Sequence, residues 1–593
     1  MNKDTREKLL SESSESNQEK TREGQLQGMK TKKNLMTALL TLVIMCMCAT
    51  SVFATSSGTG TSVTATDGTT ATLNVATANA GDSLKAYKVI AATYTSATNN
   101  LDLQFTETFK AFQASTDGTA YKDLTVDQYC AYANNGSALK SVLGAFTKYV
   151  RTSGTAADYS QETNAAGTAV FENVAMGQYI ITGSGSTTGA LVYQTVTAEV
   201  VPFADNGTYK IYSSYDVTMK TTKPTGEKTV SNTTKDGEKD TASIGDELTY
   251  TITTTMPTYP EGATNKTLYM GDTLSNGLSL EADTIKVYGV SNDVETQLIK
   301  DADYKVTISG QKIYIDLIYD QVKGYESVKA TYNVILNENA KIGTAQGNDN
   351  SYDLYYSNDP FNGNGHEPGT PDHPDGDNGY GHENHTTTVY TYRVMVTKYK
   401  DGDESTKLVG AEFDVKDSDG NIIAHIVTDE NGFAAYTGLK TGTYTLIETK
   451  APTGYKLDTN PISVTLTEAN ATQAVTTTTD IQYTSDVTKA QIKTQARDTD
   501  GNLLYIDDNN TVTTTVTEKP AYVESVKTTI TEKGESGTAA AGTVNVDVAN
   551  KPGSSLPTTG GMGTILFTMI GCAIIAVTVI LYTNKKRTAG SAK

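Results

Sequence analysis

The chain has 593 residues, room for three or four domains, and is rich in Gly and Tyr with no Trp at all. Its formal net charge is −20 at pH 7, and the central region holds no basic cluster, which excludes nucleic acid as a partner. Of the four cysteines, Cys46, Cys48 and Cys572 lie in terminal apolar runs and only Cys130 falls between them. A lone thiol forms no intramolecular disulfide, so covalent reinforcement of the central part needs other chemistry.

Residues 30–33 read KTKK, and an apolar stretch runs from Leu35 to Phe53. Val52-Phe53-Ala54 offers small residues at both specificity positions of a signal peptidase, so residues 1–54 are expected to be a secretory signal, starting at Met1 or Met29. Three β-rich domains follow. Thr and Tyr favour pleated, half-buried strands, and strand-length runs alternate with Gly- and Asp-rich turns, which predicts an all-β chain of immunoglobulin-like sandwiches.

The first domain is expected over 55–216. Ser83 to Tyr94 reads as a strand. Thr125 to Val150 has helical spacing, with Tyr129, Leu139, Val142, Leu143 and Phe146 apolar, and reads as a small helical insertion. After a boundary at 217–223, a middle domain is expected over 224–388, where Leu248, Tyr250 and Ile252 share one strand face. The third is expected over 389–551 and opens with YRVMVTKYK, where Lys398 continues the face of Val394 and Val396. One unit appears twice: GTAVFENVAMGQYIITG from Gly167 and GFAAYTGLKTGTYTLIE from Gly432. They align without gaps, Tyr179 with Tyr444 and, at the end, Gly183 with Glu448. A long Thr-rich stretch, 476–538, threatens to displace the last strand of the third domain.

The far end carries Leu556, Pro557, Thr558, Thr559 and Gly560 (LPTTG), an apolar run over 564–582 and a basic tail, Lys585, Lys586 and Arg587. The run is long enough for a membrane helix, and the tail would stay cytoplasmic. These parts in this order resemble the LPxTG sorting signal of Gram-positive surface proteins. The resemblance implies that a sortase cleaves after Thr559 and passes the acyl group to an amine, of peptidoglycan or of another subunit.

TYTLIETKAPTGY, Thr443 to Tyr455, resembles the E-box of collagen-adhesin B-type (Cna-B) pilin domains. That likeness implies that Glu448 promotes an amide (isopeptide) bond between Lys398 and an asparagine of the last strand, Asn550. Burial would favour the neutral amine as nucleophile and a protonated carboxyl that polarises the amide. KPTGEKTV, LYMGDTLSNGLSL and LYYSNDP resemble the isopeptide-forming middle domain of fimbrial shaft subunits, which implies Lys228 bonded to Asn358 with Asp272 as the acid; Asp246 and Glu247 are rivals for the acid. Gly183 leaves the first domain without an acid, and no such bond is expected there.

Backbone pilins carry an acceptor lysine at the end of their first domain. Here SYDVTMKTTKPTGEK lacks the usual Tyr-Pro and offers Lys220, with Lys223 as rival. Taken together, the resemblance implies a shaft subunit of a sortase-assembled pilus on the Gram-positive cell wall, or a wall-anchored adhesin or tip pilin. Its partners would be a pilin-class sortase, identical subunits, accessory pilins and peptidoglycan. No cofactor is expected, and no enzymatic role beyond the self-made amides. The segment 362–385 holds four of the five histidines but has no repeating ligand spacing, so no metal site is assigned. Asp417 to Asn421, DSDGN, lacks the later glutamate of a calcium loop and reads as a hairpin turn.

Overall fold

The computed structural model describes residues 57–553 and 568–580, apart from 78, 133–134, 185–190, 232–238, 363–378 and 538–540. The predicted signal segment and the LPTTG motif lie outside the described residues. Residues 568–580 are helical. No helix among the described residues is long and apolar enough to cross a membrane, and the expected span 564–582 extends past both described ends of this one.

Three β-domains follow one another. In the first, the strand Ser83–Thr95 is buried on both faces. Leu84 and Ala86 face the sandwich core with Leu73, Phe171 and Tyr179. Tyr87, Val89 and Ile90 face a second core made with Phe109, Phe112, Val142 and Phe146. Helices supply that second core, and the expected insertion is two of them, Val126–Ala131 and Gly136–Ser153. Thr125 and Gln128 close a capping box on the former, and Gly154 ends the latter at φ 66°. A helix at Glu107–Ala114, capped by Thr106 and buried through Phe109 and Phe112, was not expected from the sequence.

The middle domain packs two sheets. In one, Gly226–Ser231 pairs with Glu247–Thr255, which pairs with Ser327–Leu336. In the other, Tyr380–Tyr390, Asn348–Ser357, Leu268–Leu274 and Lys312–Leu317 lie side by side. Leu248, Tyr250 and Ile252 all point into the core between the sheets, as their alternation predicts.

In the third domain, the opening strand Tyr392–Lys400 lies between Phe433–Leu439 and the final strand Thr543–Asn550. First and last strands run parallel, Lys398 opposite Val548 and Lys400 opposite Asn550. The opposed sheet is Ile422–Val427, Glu412–Lys416, Gly442–Lys450 and Ile462–Leu466.

The Thr-rich stretch leaves that last strand in place. It forms a long hairpin, Gln473–Thr484 with Tyr522–Ser536. A bridge between Thr472 and Thr543 closes its base, so the chain leaves the sandwich and returns at one point. Its tip folds back onto the middle domain, where Ile492, Leu504 and Val523 cluster with Ile244 and Ile335. The Arg497 N–H bonds Glu338 at 3.3 Å, and the Asn339 amide bonds the Arg497 carbonyl at 3.0 Å.

The internal repeat is an atomic equivalence. Tyr179 donates to the carbonyl of Ala175 at 2.6 Å, and Tyr444 to that of Lys440 at 2.9 Å, four residues back in each case. Gly167 and Gly432 turn the chain at φ 73° and 71°. The turn side chains correspond too: Asn164 Oδ1 accepts the N–H groups of Ala166 and Thr168, and Asp429 Oδ1 those of Asn431 and Phe433. DSDGN is the expected turn, with Asp417 Oδ1 accepting from Asp419 and Asn421 between two paired strands.

Candidate functional site: two buried lysine–carboxylate–asparagine clusters

Alternation in YRVMVTKYK turns Val394, Val396 and Lys398 to the core, and all three are fully buried. Lys398 Nζ lies 3.1 Å from Glu448 Oε1 and 5.3 Å from the centroid of the Phe413 ring. Glu448 comes from the strand Gly442–Lys450 of the opposed sheet. Asn550, at the end of the last strand, brings its Nδ2 to 3.0 Å from Glu448 Oε1 and 3.1 Å from Oε2. The same Nδ2 donates to the Lys456 carbonyl at 2.8 Å, and the Asp458 N–H holds Glu448 Oε2 at 3.0 Å. The structure therefore brings together all three residues that the sequence singles out. Burial pushes the Lys398 amine down from its ordinary pKa, against the pull of the Glu448 charge. Asn550 Oδ1 is buried with no hydrogen-bond partner among the described residues, a costly state for a carbonyl.

The middle domain builds a second cluster across its two sheets. Lys228, on Gly226–Ser231, forms a buried ion pair with Asp272 on Leu268–Leu274. Burial drives the two groups toward one another: the lysine falls to about 8 and the carboxyl rises to about 6. The proton therefore passes from one to the other far more cheaply than it would in water. Neither rival acid reaches Lys228. Asp246 accepts from the Ser243 N–H and lies 3.7 Å from Lys440, and Glu247 is exposed.

One expectation is corrected. Asn358 is not brought to Lys228. Asp272 pairs with Tyr352, and Asn358 lies six residues further along, about 20 Å at the rise of a strand. It sits beyond the strand end, where its N–H bonds the Gly379 carbonyl at 2.9 Å. The asparagine that faces the cluster is Asn350, fully buried on the same strand. Its Nδ2 donates to the Tyr332 hydroxyl at 2.9 Å, and Lys228 Nζ reaches that hydroxyl at 3.2 Å. Asn350 Oδ1, like Asn550 Oδ1, is buried with no partner among the described residues.

Among the described residues the first domain has no such cluster at Gly183. A Cβ there would lie 2.7 Å from the Tyr193 ring, which fills the place of the acid. Tyr193 in turn hydrogen-bonds the carboxylate of buried Asp82.

The two boundary lysines differ. Lys223 is ion-paired with Glu383 at 2.8 Å. Lys220 follows the strand Ser214–Thr218, its carbonyl accepting the Gln194 N–H at 2.8 Å, and desolvation, then the neighbouring Lys140 charge, lowers its pKa. In the His-rich segment, His382 meets Asp353 at 2.9 Å on paired strands, and His385 stacks on Tyr352. His366 and His373 lie outside the described residues, and the described residues hold no group of side chains arranged for a metal ion.

Residues 244–360 match the family described as Gram-positive pilin backbone subunit 2, Cna-B-like domain, and residues 393–481 match a prealbumin-like fold domain. The trypsin-resistant surface T6 protein of Streptococcus pyogenes serotype M6 is 30% identical over 445 residues, covering 71% of this chain and 81% of that one. Among solved structures, the T6 backbone pilin of that serotype, described as a modular three-domain structure decorated with variable loops and extensions, superposes with a TM-score of 0.58 at 22% identity, over 82% of this chain and 99% of the other. Serial sandwiches of this fold define a modular, multidomain β-protein. More particularly, the chain belongs to the Gram-positive backbone pilins, the structural subunits of the pilus shaft.

Proposed function

We propose that this shaft subunit closes two internal amides, Lys398–Asn550 and Lys228–Asn350, and is then polymerised through Lys220. The observation that carries the first amide is the sharing of Glu448 Oε1 by Lys398 Nζ and Asn550 Nδ2, at 3.1 and 3.0 Å. Lys398 passes a proton to Glu448, and the neutral amine attacks Asn550 Cγ. Glu448 returns its proton to the departing nitrogen, Nζ gives its surplus proton to Glu448, and the Cγ–Nδ2 bond breaks; the ammonia that leaves takes that last proton, so the products are an amide and an ammonium ion. In the middle domain Lys228 is the nucleophile, Asp272 takes its proton, and Asn350 loses ammonia. The chain is the reagent and the product of this chemistry, and it turns over no outside substrate.

Polymerisation follows from LPTTG. A pilin-class sortase takes the acyl group at Thr559, and Lys220 of another subunit resolves it. The last subunit is passed to peptidoglycan on the cell wall. Lys220 suits the acceptor role because its pKa is lowered while Lys223 is held by Glu383. The test is a denaturing blot of cell-wall extracts. The expected result is a high-mass ladder in wild type that collapses to monomer in Lys220→Ala and persists in Lys223→Ala. A single wall-linked band in wild type would leave a monomeric adhesin instead.

A further inference from the structure

Asp272 makes no hydrogen bond to Asn350 among the described residues, whereas Glu448 holds Asn550 directly at 3.0 and 3.1 Å. The aspartate is one methylene shorter, and in the middle domain a phenol fills the gap. Tyr332 donates its hydroxyl proton to Asp272 Oδ2. The same oxygen accepts from Asn350 Nδ2 at 2.9 Å and from Lys228 Nζ at 3.2 Å. One hydroxyl thus touches the acid, the nucleophile and the leaving nitrogen. It is held firmly: Tyr332 is 1% exposed, lies opposite Tyr250 in register, and stacks on that ring at 5.6 Å and 16°.

We propose that Tyr332 is a catalytic residue of the middle domain, the proton relay between Asp272 and the departing nitrogen of Asn350. This rests on the Lys228–Asn350 amide proposed above. Lys228 first gives a proton to the Asp272 carboxylate, which turns to carry it on the oxygen that faces Tyr332. The neutral amine adds to Asn350 Cγ, forming a tetrahedral centre with a protonated Nζ and an alkoxide. Asp272 passes its proton to the Tyr332 oxygen as Tyr332 passes its own to Nδ2. Nζ then returns a proton to Asp272, the alkoxide reforms the carbonyl, and the Cγ–Nδ2 bond breaks to release ammonia. Tyr332 ends as it began. The proton left on Asp272 goes to the ammonia, so the products are an amide and an ammonium ion.

The test refolds the full secreted chain, made insoluble and therefore unlinked, by dilution. Intact mass and crosslinked peptides are followed with time in wild type, Tyr332→Phe and Tyr250→Phe. The third-domain amide serves in each as the internal control for folding. The relay predicts two ammonia losses in wild type and Tyr250→Phe. It predicts that in Tyr332→Phe only the third-domain loss keeps its rate, the middle-domain loss slowing on the order of 100-fold. A longer acid, Asp272→Glu in the Tyr332→Phe background, should restore much of that rate, which a merely structural role for the phenol would not allow. An unchanged middle-domain rate in Tyr332→Phe, or a slow rate with no restoration by Asp272→Glu, overturns the relay. A wild-type chain with no Lys228–Asn350 peptide at any time overturns the amide itself.

Discussion

Lys398 and Asn550 stand on the first and last strands of the third domain, which run parallel and in contact, and both side chains converge on one oxygen of Glu448. An amide between them ties the two strands through which an axial load enters and leaves the sandwich. The stability consequence is large. By the loop-entropy argument a link closing some 150 residues restricts the unfolded chain by about 5 kcal/mol. Glu448→Gln keeps the shape of the side chain but cannot take the lysine proton. Calorimetry should show a lowered melting transition for the third domain alone, and the intact mass should rise by one ammonia, the difference between amide and acid replacement being accounted for.

The middle domain should respond to pH in a manner set by its two converging groups. Below about 6 Asp272 already carries a proton and cannot accept one from Lys228, which stays an ammonium. Above about 8 the lysine has lost its proton to solvent, and none remains for the leaving nitrogen. Closure of Lys228–Asn350 during refolding should therefore be bell-shaped in pH, with limbs near those values. A rate that climbed steadily through alkaline pH would indicate that the lysine acts without an acid.

The two links should differ under force. Lys398–Asn550 spans nearly the whole third domain, from its first strand to its last. Lys228–Asn350 leaves the chain beyond Asn350, including the strand Tyr380–Tyr390, held by hydrogen bonds and packing without a covalent link. Pulling on a single molecule should leave the third domain inextensible and let the middle domain lengthen by up to the span of about 40 residues, roughly 13 nm. The first domain, without a cluster at Gly183, should unravel completely.

Gly183 itself should tolerate no acid. A side chain there meets the Tyr193 ring at 2.7 Å. Gly183→Glu is expected to destabilise the first domain by about 1–3 kcal/mol through overpacking, and to form no new amide. Thermal denaturation and intact mass check both halves of that statement.

Much of this was legible in the chain because two-residue periodicity places side chains without further help. It buries Lys398 with Val394 and Val396, and the gapless repeat aligns Gly183 with Glu448 before any coordinates exist. The missed partner illustrates where a motif misleads. Asn348, Asn350, Tyr352, Leu354 and Tyr356 alternate inward along one strand, so the pattern itself offered Asn350. The resemblance around LYYSNDP drew attention to Asn358, past the strand end. Register between the paired strands Leu268–Leu274 and Asn348–Ser357 decides which asparagine meets the acid, and register is a tertiary property. The helix Glu107–Ala114 had a readable signal in the Thr106 cap and the Phe109–Phe112 spacing. The Thr-rich extension had none, because its fold depends on docking to Ile244 and Ile335 of a different domain.

The most direct test of the central claim is peptide-level mass spectrometry of the mature chain after digestion. Two branched peptides are expected, one joining Lys228 to Asn350 and one joining Lys398 to Asn550, each lighter by one ammonia than the sum of its linear parts. Recovery of linear peptides carrying unmodified Lys228 and Lys398, or of Lys228 joined to Asn358, would contradict it.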